Sequence, residues 1–286
     1  MTLELSSNNI NIPFNDRYFA EMIDSCDLLD DPCALRARFL RDGYLKISQA
    51  LDSEQVWSLR ENYMDLFDPQ MFMDSTSPRD GLFSGKAPLL PAHGTPGHPA
   101  HAFVRTQMFK DFACQPRLQQ IAEILLETRA RPLQRQILRH FVKNSRVASR
   151  AHVDLSYLDQ GTERLVTFWV PIGDCPLTTG GLVYLEGSHN IATTALQAKV
   201  SGVIDRSWDS RPITHDLRLL AECSSRRWLW CDFRAGDIAI HSPRIIHASL
   251  DCHTDMMKVS ADIRFAARDS VADPRWAAVW SGDDGF

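Results

Sequence analysis

A chain of 286 residues, 44% hydrophobic and 23% charged, has the balance of one large globular domain with ample apolar material for a core. A net charge of −5, with no stripe of Lys and Arg interleaved with aromatics, argues against a nucleic-acid partner. No apolar run approaches the roughly 20 residues of a bilayer span, and the opening MTLELSSNNINIPF lacks the basic and then apolar layout of a secretory signal, so the expectation is a cytoplasmic protein without a membrane partner. The seven cysteines are scattered and contain no C-x-x-C pair, which reads as thiols in a reducing compartment.

Residues 34–41 predict a helix that ends at Asp42-Gly43 and passes into a short strand, Tyr44 to Ile47. Asp52 with Gln55 resembles a capping box, and Val56, Leu59, Tyr63 and Leu66 recur after it at helical spacing. A loop at 68–100 holds six of the 15 prolines and four of the 14 glycines, and such a long aperiodic stretch is read as functional, a cover for the substrate cavity hinged at its glycines. Leu118, Ile121, Ala122 and Leu125 mark a further helix after Pro116. From 134 onward β-branched and aromatic segments alternate with turns, at 134–142, 164–172, 181–185, 237–241, 244–249 and 257–266. That rhythm predicts a mainly β fold with flanking helices, an antiparallel sandwich or barrel in a single domain spanning 1–286. The connection at about 190–230 is read as another wall of the same cavity.

His152 and Asp154 stand at i, i+2, a spacing that on a strand sends both side chains to one face. His247 offers a third donor downstream. Two histidines and a carboxylate on one side of an ion leave the other side open, which suits non-haem Fe(II) that must admit a co-substrate and O₂. An H-x-D alone is common by chance, and the weight rests on the segments around it. Gly180-Gly181 lacks the pattern of a phosphate-cradling loop and reads as a tight strand connection. His93, His98 and His101 lack a fourth ligand for a second metal, and His189 and His241 are read as structural hydrogen-bonding groups. Asp74, Asp80, Asp205, Asp209 and Asp216, in the two long connections, could receive a cationic or polyhydroxylated molecule, but such charges usually only solvate loops.

The order H-x-D, then Thr167 to Pro171, Thr179 to His189, Ala235 to His241, His247-Ala248-Ser249 and Lys258 to Arg264, with Phe39 to Leu45 before them, closely resembles the phytanoyl-CoA dioxygenase family over roughly 35–266. The resemblance implies a double-stranded β-helix core (jelly-roll, cupin-like) and an oxygenase using Fe(II), 2-oxoglutarate and O₂, with ascorbate as the reductant in vitro. It implies that His152, Asp154 and His247 are iron ligands, that Ser249 touches the 2-oxoglutarate carboxylate and that Trp169 packs on the co-substrate. Arg105 aligns with a family lysine near the co-substrate, and Arg139 falls near another co-substrate contact.

One position departs from the family. Eleven residues beyond the distal histidine, where an arginine usually anchors the C5 carboxylate of 2-oxoglutarate, this chain has Lys258, a point charge in place of a two-pronged donor. Lys258 and Ser260 share strand parity and are expected to hold the carboxylate together. Arg264 shares that parity about 20 Å farther on, and is assigned to the sheet end or a surface pair, with a role as anchor only if the register shifts. Asp154 occupies the site that related halogenases leave to chloride, so the expected reaction is hydroxylation, or desaturation, ring closure or ketone formation, at a C–H bond. The acidic balance and the mostly uncharged 68–100 loop give no sign of a basic mouth for CoA phosphates, and a natural-product intermediate is the expected small-molecule substrate. The competing readings are a cupin-type metal-dependent isomerase or hydrolase, which would supply histidines closer together, and a non-catalytic binding module, which would lack a ligand.

Overall fold

In the computed structural model, which describes residues 4–86, 97–144, 148–200 and 210–280, the chain opens with a hairpin of β1 (Glu4–Ser7) and β2 (Ile10–Pro13) and a short strand β3 (Phe19–Glu21). Helix α1 (Pro32–Asp42) starts where the Asp31 side chain accepts from the Ala34 amide. It ends at Gly43, whose φ of 77° turns the chain into β4 (Tyr44–Ile47). Asp52 caps α2 (Ser53–Met64) through the amides of Glu54 and Gln55, as its position predicts. Then come α3 (Pro99–Phe103), α4 (Gln107–Ala113) and α5 (Pro116–Leu126), and strands β5 (Ala130–Pro132), β6 (Ile137–Phe141), β7 (Leu165–Pro171) and β8 (Leu182–Leu185). Helices α6 (Thr193–Val200) and α7 (Leu217–Ser224) precede β9 (Trp228–Trp230), β10 (Ile238–His241), β11 (His247–Ser249), β12 (Lys258–Ala267) and α8 (Pro274–Ala277).

Among the described residues the larger sheet runs β4-β10-β7-β12-β5, with β6 also paired to β12, and the smaller runs β11-β8-β9-β3. The two sheets form the double-stranded β-helix, mainly β with helices outside. Side-chain alternation divides each strand between two environments. On β12, Val259, Ala261, Ile263 and Phe265 join the core under the helices, with Val166, Phe168 and Val170 of β7 and Ile238 and Ile240 of β10. The other parity of β12, namely Lys258, Ser260, Asp262 and Arg264, is equally buried but polar. On the smaller sheet Val183, Leu185, Ile246 and Ala248 pack outward against α6 and α7, while Leu182 and Tyr184 face inward with Trp169 and Phe233. Buried strands carrying polar residues on one inner face make room for chemistry between the sheets.

Phe72 bridges to Phe83 and Leu82 to Met256, so the described part of the 68–100 segment is pinned across the start of β12. Arg60 of α2, 1% exposed, holds it there: its guanidinium donates to the carbonyls of Arg79 (2.8 Å), Ile172 (2.8 Å) and Met257 (2.9 Å). Gly81, at φ 61°, lets that guanidinium pass where a Cβ would meet it at 2.2 Å. Gly94 and His93 lie outside the described residues. In the described part of the 190–230 connection, α6 and α7 cover the outer face of the smaller sheet, and the buried Ile213 and Thr214 are bonded to Ala151 beside His152. Asp205 and Asp209 lie outside the described residues.

Candidate metal centre

His152 and His247 are cross-strand partners. Each amide donates to the other's carbonyl, at 3.0 and 2.9 Å, which puts the two rings on the same face with centroids 4.2 Å apart. Val153 is extended, and Asp154 then opens a short 3₁₀ turn, so the i, i+2 spacing brings the carboxylate beside the rings although no long strand carries it. One donor atom from each of His152, Asp154 and His247 lies within 4.8 Å of the others, and all three residues are buried. Nδ1 of His152 meets the Arg150 carbonyl at 2.6 Å and Nδ1 of His247 meets the Ile245 carbonyl at 3.1 Å. A carbonyl can only accept, so each Nδ1 carries the proton and each Nε2 keeps its lone pair for a metal. Burial lowers the pKa of His152 to about 4 and that of His247 well below its ordinary value, so both rings are neutral.

Asp154 is held by one cross-strand row of the larger sheet, in which His241, Thr167 and Arg264 stand side by side. Thr167 Oγ1 donates to Oδ2 at 2.6 Å, and Arg264 grips both oxygens, Nη2 to Oδ1 at 2.9 Å and Nε to Oδ2 at 3.2 Å. His241 Nε2 lies 3.4 Å from Oδ2, its Nδ1 paired with the Tyr184 hydroxyl at 2.9 Å. Burial alone would raise the carboxyl's pKa, but the Arg264 guanidinium, helped by His241, outweighs it and holds the group well below the usual carboxylate range. The assignment of Arg264 to a sheet end or surface pair is thereby corrected: it is 2% exposed and bound to Asp154. His241, read as a structural hydrogen-bonding group, pairs with the Tyr184 hydroxyl and packs on His247 with centroids 4.5 Å apart.

The other candidates separate. Lys258 is fully buried, its Nζ donating to the Gly180 carbonyl at 2.5 Å and lying 4.4 Å from the Phe141 ring centroid. Burial lowers its pKa to about 8. Ser260 is buried on the same face with its hydroxyl unbonded, and Ser249 Oγ accepts from the Ser149 amide at 2.7 Å, keeping its own proton to donate. Trp169 is inward-facing and tilts against Phe233 at 4.8 Å. Arg139 pairs with Asp262 at 3.0 Å, and Asp262 in turn lies 4.0 Å from Arg264. Arg105 does not join them: it is exposed at the junction of α3 and α4, and its family alignment does not bring it inside.

A double-stranded β-helix with two histidines and one carboxylate gathered between its sheets is the architecture of mononuclear non-haem iron enzymes. The chain belongs to the phytanoyl-CoA dioxygenase (PhyH) family, whose model matches residues 39–260, and is a 2-oxoglutarate-dependent oxygenase. Among solved structures it is similar to the epimerase SnoN in complex with Fe³⁺, alpha-ketoglutarate and nogalamycin RO (19% identity, 90% of this chain and 93% of that one, TM-score 0.60). It is also similar to EctD from S. alaskensis with bound Fe (17%, 92% and 87%, 0.57) and to the carbocyclase SnoK from nogalamycin biosynthesis (17%, 85% and 86%, 0.54). At these identities the likeness is one of fold. No curated protein matches the sequence. No helix among the described residues is long and apolar enough to cross a membrane.

Proposed function

We propose that His152, Asp154 and His247 hold Fe(II), and that Lys258, with Ser249 and Ser260, receives the C5 carboxylate of 2-oxoglutarate in an enzyme that oxidises a C–H bond of a small natural product in the cytoplasm. The observation that carries this reading is the donor set itself: two neutral Nε2 atoms and an ionised carboxylate within 4.8 Å of one another. Bound iron would supply O₂ activation coupled to decarboxylation of 2-oxoglutarate to succinate and CO₂. The chain's own part is positioning. The carbonyls of Arg150 and Ile245 fix the two imidazole tautomers, and Thr167 and Arg264 fix the carboxylate. Lys258 sits beside a backbone carbonyl and an aromatic face with no carboxylate bonded to it among the described residues, a buried cation able to take an anionic partner. Trp169 supplies an aromatic wall for the co-substrate's carbon chain, and Arg139 a second cation on the same inner face.

The natural-product reading draws on the kinship with SnoN and SnoK, both from nogalamycin biosynthesis. With Asp154 in place the outcome is oxygenation or dehydrogenation, not halogenation. The test is succinate formation by the purified protein given Fe(II), ascorbate and 2-oxoglutarate in air. Slow metal-dependent succinate is expected without substrate, suppressed by Zn²⁺, which takes the same ligands but has no redox chemistry. A true substrate should accelerate it and leave a product heavier by one oxygen or lighter by two hydrogens. Folded, iron-loaded protein that makes no succinate under any condition would instead favour a binding module.

A further inference from the structure

Arg264 meets its carboxylate with two parallel donors, and the other side of its guanidinium is covered by the Trp276 ring of α8, 4.6 Å from the ring centroid. The indole is itself fixed, its Nε1 donating to the Tyr157 carbonyl at 3.0 Å, and α8 is capped by Asp273 on the Arg275 amide. Arg264 and Trp276 both lie beyond residues 39–260, the part that the family model matches. With Thr167 adding a third donor at 2.6 Å, the carboxylate plane cannot turn without breaking several bonds. In the orientation so fixed, Oδ1 faces Nε2 of His247 at 3.8 Å, while Oδ2 is turned toward Thr167 and His241.

A buried two-pronged pair of this kind contributes little net stability, because the attraction is offset by desolvation of both charges; what it supplies is geometry. The geometry points to Arg264, braced by Trp276, as a positioning residue that holds Asp154 as a one-oxygen metal ligand. This rests on the metal assignment above. A carboxylate free to rotate about its Cβ–Cγ bond can present both oxygens to an ion, and the second would occupy a position that 2-oxoglutarate or O₂ requires. Lysine at 264 keeps the charge but not the fork, so it isolates orientation from electrostatics.

Co(II) is the probe, because its visible spectrum reports coordination number and geometry without turnover. Wild type, Arg264→Lys, Trp276→Leu and Trp276→Phe are titrated with Co(II) under argon, and each Co(II) form is then titrated with 2-oxoglutarate. In Arg264→Lys the Co(II) spectrum should change shape and 2-oxoglutarate affinity should fall about tenfold or more, the usual scale for removing a partner of a metal ligand. Trp276→Leu should move both readouts in the same direction by less, and Trp276→Phe, which keeps an aromatic face, should stay near wild type. A merely structural pair would lower thermal stability alike with and without metal and leave both readouts alone. Wild-type spectra and 2-oxoglutarate affinities in Arg264→Lys and Trp276→Leu would overturn the proposal; should Arg264→Lys not fold, Trp276→Leu decides it. Failure of wild type to bind Co(II) at one equivalent would count against the metal assignment instead.

Discussion

The two ends of β12 carry buried cations on the same face, and they are in opposite states. Arg264 is paired with a carboxylate gripped at both oxygens, whereas Lys258 has a backbone carbonyl and the face of Phe141. The charges tell the same story, since Asp154 is held ionised by its arginine while burial pulls the Lys258 pKa down to about 8. A cation already neutralised organises what is there; a buried cation without an anion is a place for one to arrive. The ion pair Arg139–Asp262 lies between the two ends.

The strongest way to break this contrast is Asp154→Ala. It removes a ligand, so metal binding and turnover should fall by at least about 100-fold, and it strands Arg264 as an unpaired buried charge, lowering the stability of metal-free protein by about 3–5 kcal/mol. Metal titration and chemical denaturation read the two losses separately, and unchanged stability would mean that Arg264 has another partner.

The two ends should also fail on opposite sides of neutral pH. At the metal end, burial lowers the pKa of His152 to about 4 and of His247 well below 6.5. Unfolding lets each take up a proton, so the stability present above pH 6.5 is lost as pH falls from there toward 4, at up to about 3 kcal/mol per unit for two protons. Denaturation between pH 7 and 5 measures that slope, and a flat profile would place these imidazoles in contact with water.

Lys258 sharpens the contrast in the other direction. Lys258→Ala should cost about tenfold or more in 2-oxoglutarate affinity with metal affinity intact. Lys258→Met, which removes a buried charge lacking a carboxylate, should stabilise the metal-free protein by about 1–3 kcal/mol, opposite in sign to Asp154→Ala. The smallest effect is alkaline. With a pKa of about 8, Lys258 loses its proton as pH rises through that value, so 2-oxoglutarate binding to the metal-loaded protein should weaken above pH 8. In Lys258→Arg that decline should vanish, because a guanidinium stays charged.

Much of this was legible in the residues. The strand segments from 134 to 266, the cap at Asp52 and the pairing of His152 with Asp154 all follow from local patterns, and alternation along β12 places Lys258 and Arg264 on one face. What could not be read was which row of the sheet lies level with the metal ligands. Spacing along the strand separated Arg264 from Lys258 by about 20 Å and suggested that Arg264 was remote. Only the register, with Arg264 opposite Thr167 and Thr167 opposite His241, shows that the carboxylate sits at the Arg264 end. The same register brings His241, read as a hydrogen-bonding group, beside Asp154. Arg60 was invisible because its acceptors, the carbonyls of Arg79, Ile172 and Met257, are distant in sequence.

The most direct test of the account is an anaerobic titration of the Fe(II)-loaded protein with 2-oxoglutarate, followed by the visible charge-transfer absorption that a chelated 2-oxo acid gives on Fe(II), in wild type and Lys258→Ala. The account predicts saturation at one equivalent in wild type and, in the variant, the same band reached only at about tenfold or more higher 2-oxoglutarate. Absence of the band in iron-loaded wild type, or an identical titration in the variant, would contradict it.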